Sequence, residues 1–234
     1  NPCGAASLGS LADSYRGALA CDEVSAFGGI VAFNTEVDAD AAAAMADVFT
    51  EVVIAPAFTP AARDAFAQRT NLRVVQARAA LGDGLDVRPL PGGALVQDRD
   101  RASVGRGSLT VVSDREPSAQ EWADLELAWT IAWRVKSNTI VLVKDLATVG
   151  IGAGQMSRVD ASWIAARKAA DRAQGAAAAS DAFFPFPDAL EVVADAGCTA
   201  VIHPGGSKGD DAVLRVADAR GMAVVTTGTR HFRH

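Results

Sequence analysis

The sequence predicts an α/β fold, helices covering a largely parallel sheet, and three observations carry that expectation. Short apolar runs at 30–33, 52–55 and 72–76 alternate with segments of helical period at 39–49 and 59–68. The alternation resumes beyond residue 136, with runs at 140–143, 148–151, 199–202 and 223–226 and helical segments at 157–173, 188–196 and 210–220. Between them lie turn-forming clusters such as His203-Pro-Gly-Gly-Ser207. Strand and helix in alternation imply parallel pairing through crossover helices.

The individual elements follow from local chemistry. Ser10 is placed to cap a first helix, and Leu8, Leu11, Tyr15, Ala18 and Leu19 fall at helical spacing. Phe27-Gly28-Gly29 stands where a loop becomes a strand, and a bulge or tight turn explains its glycines. Residues 82–93, rich in Gly, Pro and Asp, read as a loop; 93–97 and 110–113 read as strands, with the charged Asp98-Arg-Asp-Arg101 between them as a solvated turn. Pro117-Ser118 opens a helix through Trp122, Leu125, Trp129 and Trp133, whose spacing assigns Trp129 and Trp133 to packing. Lys144 and Asp145 mark a hairpin. Four alanines at 176–179 suit a strand by position and a helix by composition. His203, alone before Pro204, reads as structural.

Composition narrows the function. With 234 residues, half of them hydrophobic, and no apolar run long enough to cross a bilayer, one large or two small globular domains are expected, without a membrane segment or secretory signal. A net charge of −6 argues against a nucleic-acid partner, while leaving room for a local basic pocket. Cys3, Cys21 and Cys198 are odd in number and lack CxxC spacing, so neither a disulfide framework nor a zinc knuckle is supported, and a reducing, cytoplasmic setting fits. A chain opening Asn-Pro-Cys-Gly without methionine is expected to continue a longer polypeptide.

Chemistry concentrates between Lys136 and Asp188. Lys136-Ser-Asn138 precedes a strand, and Gly150, Gly152 and Gly154 end a strand and open a helix, where free amides could receive an anion. Downstream, Phe183, Phe184 and Phe186 stand among Pro185 and Pro187, with Asp181 and Asp188 at the ends: stacking faces beside carboxylates. The tail Arg230-His-Phe-Arg-His234 is either a frayed end or a phosphate- and ring-binding segment.

Asn1-Pro-Cys-Gly4, Ser25-Ala-Phe-Gly-Gly-Ile30, Val53-Ile-Ala-Pro56, Lys136-Ser-Asn138, Val149-Gly-Ile-Gly-Ala-Gly-Gln-Met-Ser-Arg158, the turn at 180–188 and Arg230-His-Phe-Arg-His234 together span the chain. In this order they resemble the transformylase part of the bifunctional family that joins 5-aminoimidazole-4-carboxamide ribonucleotide (AICAR) formyltransferase to IMP cyclohydrolase. The resemblance implies a three-layer α/β/α fold of duplicated, cytidine-deaminase-like lobes: a truncated first lobe at 1–114 and a second at 115–234. It implies transfer of a formyl group from 10-formyltetrahydrofolate to the 5-amino group of AICAR, without zinc, in a homodimer with shared active sites. By the same resemblance Asn138 holds the substrate carboxamide and formyl oxygen, and His234 stands near the reacting groups. Arg158 and Arg230 meet the nucleotide's polar groups, and Phe183 and Phe232 pack on its ring or ribose. Phe27, Gly28, Met156, Pro185 and Asp188 line the folate side, and Asp181 matches a position that lies at a potassium site in some members. The family's Lys-His pair, the histidine being its proton shuttle, stands upstream of Asn1. A fragment that binds nucleotide or folate without turnover is therefore the rival expectation.

Overall fold

The structure, a computed structural model, describes residues 1–78, 84–101 and 104–234. Helix α1 (Leu11–Leu19) and the short α2 (Glu23–Ala26) lead into β1 (Gly29–Ala32), followed by α3 (Ala39–Ala44), β2 (Thr50–Ala55), α4 (Pro60–Ala67) and β3 (Arg73–Gln76). The three strands pair in parallel in the order β1-β2-β3. Side chains fix the helix starts: Ser10, Asp38 and Thr59 accept from the backbone N–H three residues on, and Pro60 occupies the first turn of α4. Helix α3 stops short of the expected 39–49. The guanidinium of Arg69 donates to the carbonyls of Met45 and Val48 at 2.9 and 2.7 Å, satisfying oxygens there without further helix. Tyr15, Val37, Met45, Val53, Phe58 and Phe66 form the core of this part.

Residues 85–98, part of which was expected to be loop, form an antiparallel hairpin of β4 (Leu85–Leu90) and β5 (Gly93–Asp98) around a Pro91-Gly92 turn. Gly92 has φ +83°, the left-handed conformation that the second turn position requires. Residues 82 and 83 of the expected loop lie outside the described residues.

Strand β6 (Thr110–Val111), helix α5 (Ala119–Ala132), strands β7 (Ile140–Lys144) and β8 (Ala147–Gly152), helix α6 (Arg158–Ala169), strand β9 (Ala177–Ser180), helix α7 (Asp188–Asp195), strand β10 (Ala200–His203), helix α8 (Asp210–Ala219) and strand β11 (Ala223–Thr226) complete the chain. Their sheet has the order β6-β11-β10-β9-β7-β8. It is mixed: β9, β10 and β11 are parallel, whereas β7 runs antiparallel to β8 and β9, and β6 to β11. The two-residue turn at Asp145-Leu146, both at positive φ, joins β7 directly to β8 and forces that reversal.

Alternate strand residues pack on opposite faces. Ile140, Leu142, Ala178, Val201 and Val224 meet α6, α7 and α8, while Val141, Val143, Ala179, Ile202 and Val225 meet α5. This is a three-layer α/β/α arrangement. The alanine run takes the strand alternative because helices press on both sides of it, leaving room for methyl groups only. Residues 5–7 extend the edge along β8, through the Ala6–Ala147 bridge and the bond from Thr148 N to Ala5 O of 2.8 Å. The expected helix 157–173 breaks at Ala170 (φ 48°), where Arg172 donates to the carbonyls of Lys168 and Ala169. Among the described residues, no helix is long and apolar enough to cross a membrane.

Candidate functional site

Three side chains 20 to 23 positions apart in sequence meet at one end of the sheet. Arg158 is the first residue of α6, started by Ser157, whose hydroxyl accepts from Asp160 N. Asp181 follows β9, and Asn138 stands just before β7, the neighbour of β9. Arg158 Nη1 donates to Asp181 Oδ1 at 2.6 Å and to Ser180 Oγ at 2.7 Å; its Nη2 donates to Asn138 Oδ1 at 2.8 Å. Arg158 and Asp181 are both buried. A charge-assisted pair out of water persists because further hydrogen bonds, here to Ser180 and Asn138, accompany it. Asp181 also accepts from Thr139 N at 3.1 Å and from the Ser137 hydroxyl, and its backbone oxygen accepts from His231 N at 3.0 Å.

This geometry defines what Asn138 and Asp181 can do. Asn138 Nδ2 donates to Gln155 O at 3.0 Å and Met156 O at 3.1 Å, so both amide hydrogens are committed and one lone pair of Oδ1 remains. The side chain is held as an acceptor, whereas holding a formyl oxygen requires a donor. Oδ1 of Asp181 is shared by Arg158 and Thr139 N, and Oδ2 faces the Ser137 hydroxyl. Among the described residues no three His, Cys, Asp or Glu side chains converge as a metal site.

The glycine turn differs from its expected role. A Cβ on Gly150 would lie 2.1 Å from Ala165 O, and one on Gly152 1.9 Å from Ala161 O, so these glycines let β8 lie against the backbone of α6. Only Gly154 (φ +67°) belongs to the turn, where its N–H is spent on Lys136 O. The aromatic cluster divides similarly. Phe184 is buried in the core with its ring 5.3 Å from that of His203, Phe183 is half-buried, and Pro185, Phe186 and Asp188 are exposed. Asp188 is the first residue of α7, and its Oδ1 accepts from Ala189 N at 2.7 Å. Its other oxygen stays available.

His203 is buried at the end of β10. Burial pushes its pKa down to about 4, opposed by the Asp210 charge and reinforced by Arg158. Its Nδ1 accepts from Gly205 N at 3.1 Å, as a neutral ring requires. His203 is thus a core residue.

The tail carries no regular structure yet is tied down. Thr227 N donates to His203 O, Gly228 N to Pro204 O, and Ser137 N to Arg233 O. His231 is buried, while Arg230, Phe232, Arg233 and His234 are exposed. The Arg230 guanidinium lies 5.6 Å from the Phe232 ring centroid, and the Phe232 and His234 rings are 4.7 Å apart.

Opposite the tail, one face of the β4–β5 hairpin closes a cleft of about 600 Å³. Arg88, Arg99, Arg101, Arg134 and Arg233 line it against Asp86 and Asp100, with Trp133, Phe232 and His234 supplying rings. The Arg134 guanidinium stacks 3.7 Å above the Trp133 ring, so Trp133, half-buried against His231, serves the cleft. Such a lining favours a flat anion. The hairpin and Arg88 and Arg134 were missed from sequence; the alternation of Leu85 and Val87 before Pro91-Gly92 was the signal available. Asp98-Arg-Asp-Arg101 is likewise more than a solvated turn, because Asp100 meets His231.

The expected residues are therefore only partly assembled. Asn138, Arg158, Asp181 and Met156 share one hydrogen-bond network, joined through His231 to Arg230, Phe232 and His234. Phe27 and Gly28 remain with the three-stranded sheet, where Gly28 N donates to Phe49 O and the Phe27 ring lies 5.4 Å from that of Phe49. Phe27 and Met156 are 71% and 90% exposed.

The model of the AICARFT/IMPCHase bienzyme family matches residues 1–168. Proteins named bifunctional purine biosynthesis protein PurH are similar over the whole chain. That of Dinoroseobacter shibae is 53% identical, and those of Roseobacter denitrificans and Rhodospirillum rubrum are 52% identical. In each case the chain spans 47% of the relative's length.

Proposed function

The chain belongs to the AICARFT/IMPCHase bienzyme family, and on that premise we propose that it is the formyl-transferring part, moving a formyl group from 10-formyltetrahydrofolate to the 5-amino group of AICAR. The observation that supports this reading is the buried Arg158–Asp181 pair holding Asn138, next to Ser137, whose N–H donates to the carbonyl of Arg233 in an arginine-lined cleft with aromatic faces.

The 5-amino group is a weak nucleophile because its lone pair is delocalised into the imidazole and its carboxamide. Catalysis must orient it, remove a proton as the bond forms, and stabilise the developing oxyanion. With both amide hydrogens committed, Asn138 accepts an N–H from the substrate through Oδ1. Arg158 positions Asn138 and keeps N–H groups beyond those it spends on Asp181, Ser180 and Asn138. Arg230 meets the phosphate, Phe183 and Phe232 pack on the ring or ribose, and the exposed His234 imidazole stands nearby as a proton acceptor. On the folate side Asp188 accepts from the pterin's amino edge through its available oxygen, and Met156 and Pro185 supply apolar surface. Phe27 and Gly28, on the other sheet, complete that side in a homodimer whose sites are shared between copies.

The test is formation of formyl-AICAR by a longer family polypeptide containing this chain, with and without Asn138→Ala. Abolition of turnover by the substitution supports the reading, and wild-type turnover in the variant contradicts it. The chain by itself separates the rival: AICAR binding without turnover marks a binding fragment.

A further inference from the structure

The tail from 228 to 234 presents six exposed or half-exposed residues before and after the one that is buried, His231. The His231 ring is stacked on Trp133 with centroids 5.1 Å apart and tilted against Trp129 at the same separation. Its Nδ1 meets Asp100 Oδ2 at 2.7 Å. Because a carboxylate only accepts, Nδ1 carries the proton in this bond. Nε2 is buried and has no hydrogen-bond partner among the described residues, so Asp100 is the side chain that orients the ring. Asp100 itself follows the β4–β5 hairpin and is 47% exposed. Through one imidazole, the hairpin side of the cleft is fastened to its tail side.

We propose that Asp100 and His231 form a clasp that sets the position of the C-terminal tail. His231 is then a positioning residue: its backbone N–H seats the tail on Asp181 O, while its ring fixes the spacing of Arg230 and Phe232 on either side. Without the clasp the tail keeps its backbone bonds to Asp181 and Ser137 and the packing of His231 on Trp129 and Trp133, but loses the side-chain hydrogen bond that orients the imidazole. That the tail then presents its side chains to AICAR rests on the function proposed above; the clasp itself does not.

The experiment is amide hydrogen exchange, followed by NMR, on the full chain carrying Asp100→Ala or Asp100→Asn. Asp100 is half-exposed, so neither change threatens the core, and the amides of β10 report global stability in the same spectra. Asp100→Ala is expected to speed exchange at the His231 and Ser137 amides about tenfold, the factor that corresponds to about 1.4 kcal/mol, while β10 is unchanged. Asp100→Asn keeps an acceptor for Nδ1–H and is expected to restore protection. Unchanged exchange in Asp100→Ala overturns the clasp, and so does exchange in Asp100→Asn as fast as in Asp100→Ala. AICAR affinity in Asp100→Ala forms a separate arm and should fall in parallel. A loosened tail with AICAR affinity unaltered supports the clasp and counts against the proposed function alone.

Discussion

Asp181→Asn is expected to destabilise the six-stranded part of the molecule far more than its small change in shape suggests. The carboxylate accepts from Arg158 at 2.6 Å, from Thr139 N at 3.1 Å and from the Ser137 hydroxyl. An amide keeps one acceptor oxygen, turns an NH2 group toward these donors, and leaves the guanidinium buried without a countercharge. Removing one member of such a pair costs about 3–5 kcal/mol. With a urea slope of about 2 kcal/mol per molar, the midpoint should fall by roughly 2 M at constant slope. The assay is tryptophan fluorescence during urea unfolding, since Trp129 and Trp133 belong to this part. Asp188→Asn is the control: the residue is exposed at the start of α7, and a loss of about 0.5 kcal/mol is expected. A loss below about 1 kcal/mol in Asp181→Asn would refute the view that this pair supports the site.

Three further outcomes follow from the same structure. Glu121 receives both Arg115 nitrogens at 2.8 Å and the Thr199 hydroxyl at 2.6 Å. The Arg115 bonds, partly opposed by burial, draw its pKa from 4.5 down to about 2. Its contribution is complete above pH 4.5 and lost as pH falls toward 2, so Glu121→Gln should flatten the acid limb of stability over that window, as read by melting temperature. Gly152→Ala puts a methyl 1.9 Å from Ala161 O and should cost about 1–3 kcal/mol by pushing β8 off α6; an unchanged melting temperature would contradict that packing. Asp188→Asn should weaken a folate ligand by about 1–3 kcal/mol with little effect on AICAR, and Phe183→Ala should weaken AICAR by about 1–2 kcal/mol with little effect on folate. Equal effects on both ligands in calorimetry would remove this turn from the site.

What was legible in the chain was local. The cap at Ser10, the Ser118 start of α5 and the apolar periodicity of α7 and α8 are decided by neighbouring residues, and those elements stand as expected. Glycine was harder to read, because the same missing side chain serves a ligand or a packed helix; only the distances to Ala161 and Ala165 decide between them. Asp145 reads from sequence only as part of a hairpin, yet its N–H and that of Leu146 are bound at 3.1 and 2.7 Å by buried Asp124, a residue 21 positions earlier than Asp145 whose role no local pattern announces. The resemblance singled out Asn138, Arg158 and Asp181 as candidates. It did not tell that Arg158 would spend itself on the other two, because that pairing arises only when β7 and β9 become neighbours under α6.

The most direct test of the functional account is calorimetric titration of AICAR into the chain and into its Arg230→Ala variant. Arg230 is exposed, so the fold should survive the change. Losing a charged hydrogen bond to the phosphate, worth about 1.5–3 kcal/mol, should lower affinity by about tenfold or more. AICAR binding the variant as tightly as the wild type would contradict the assignment of this tail and cleft to the nucleotide.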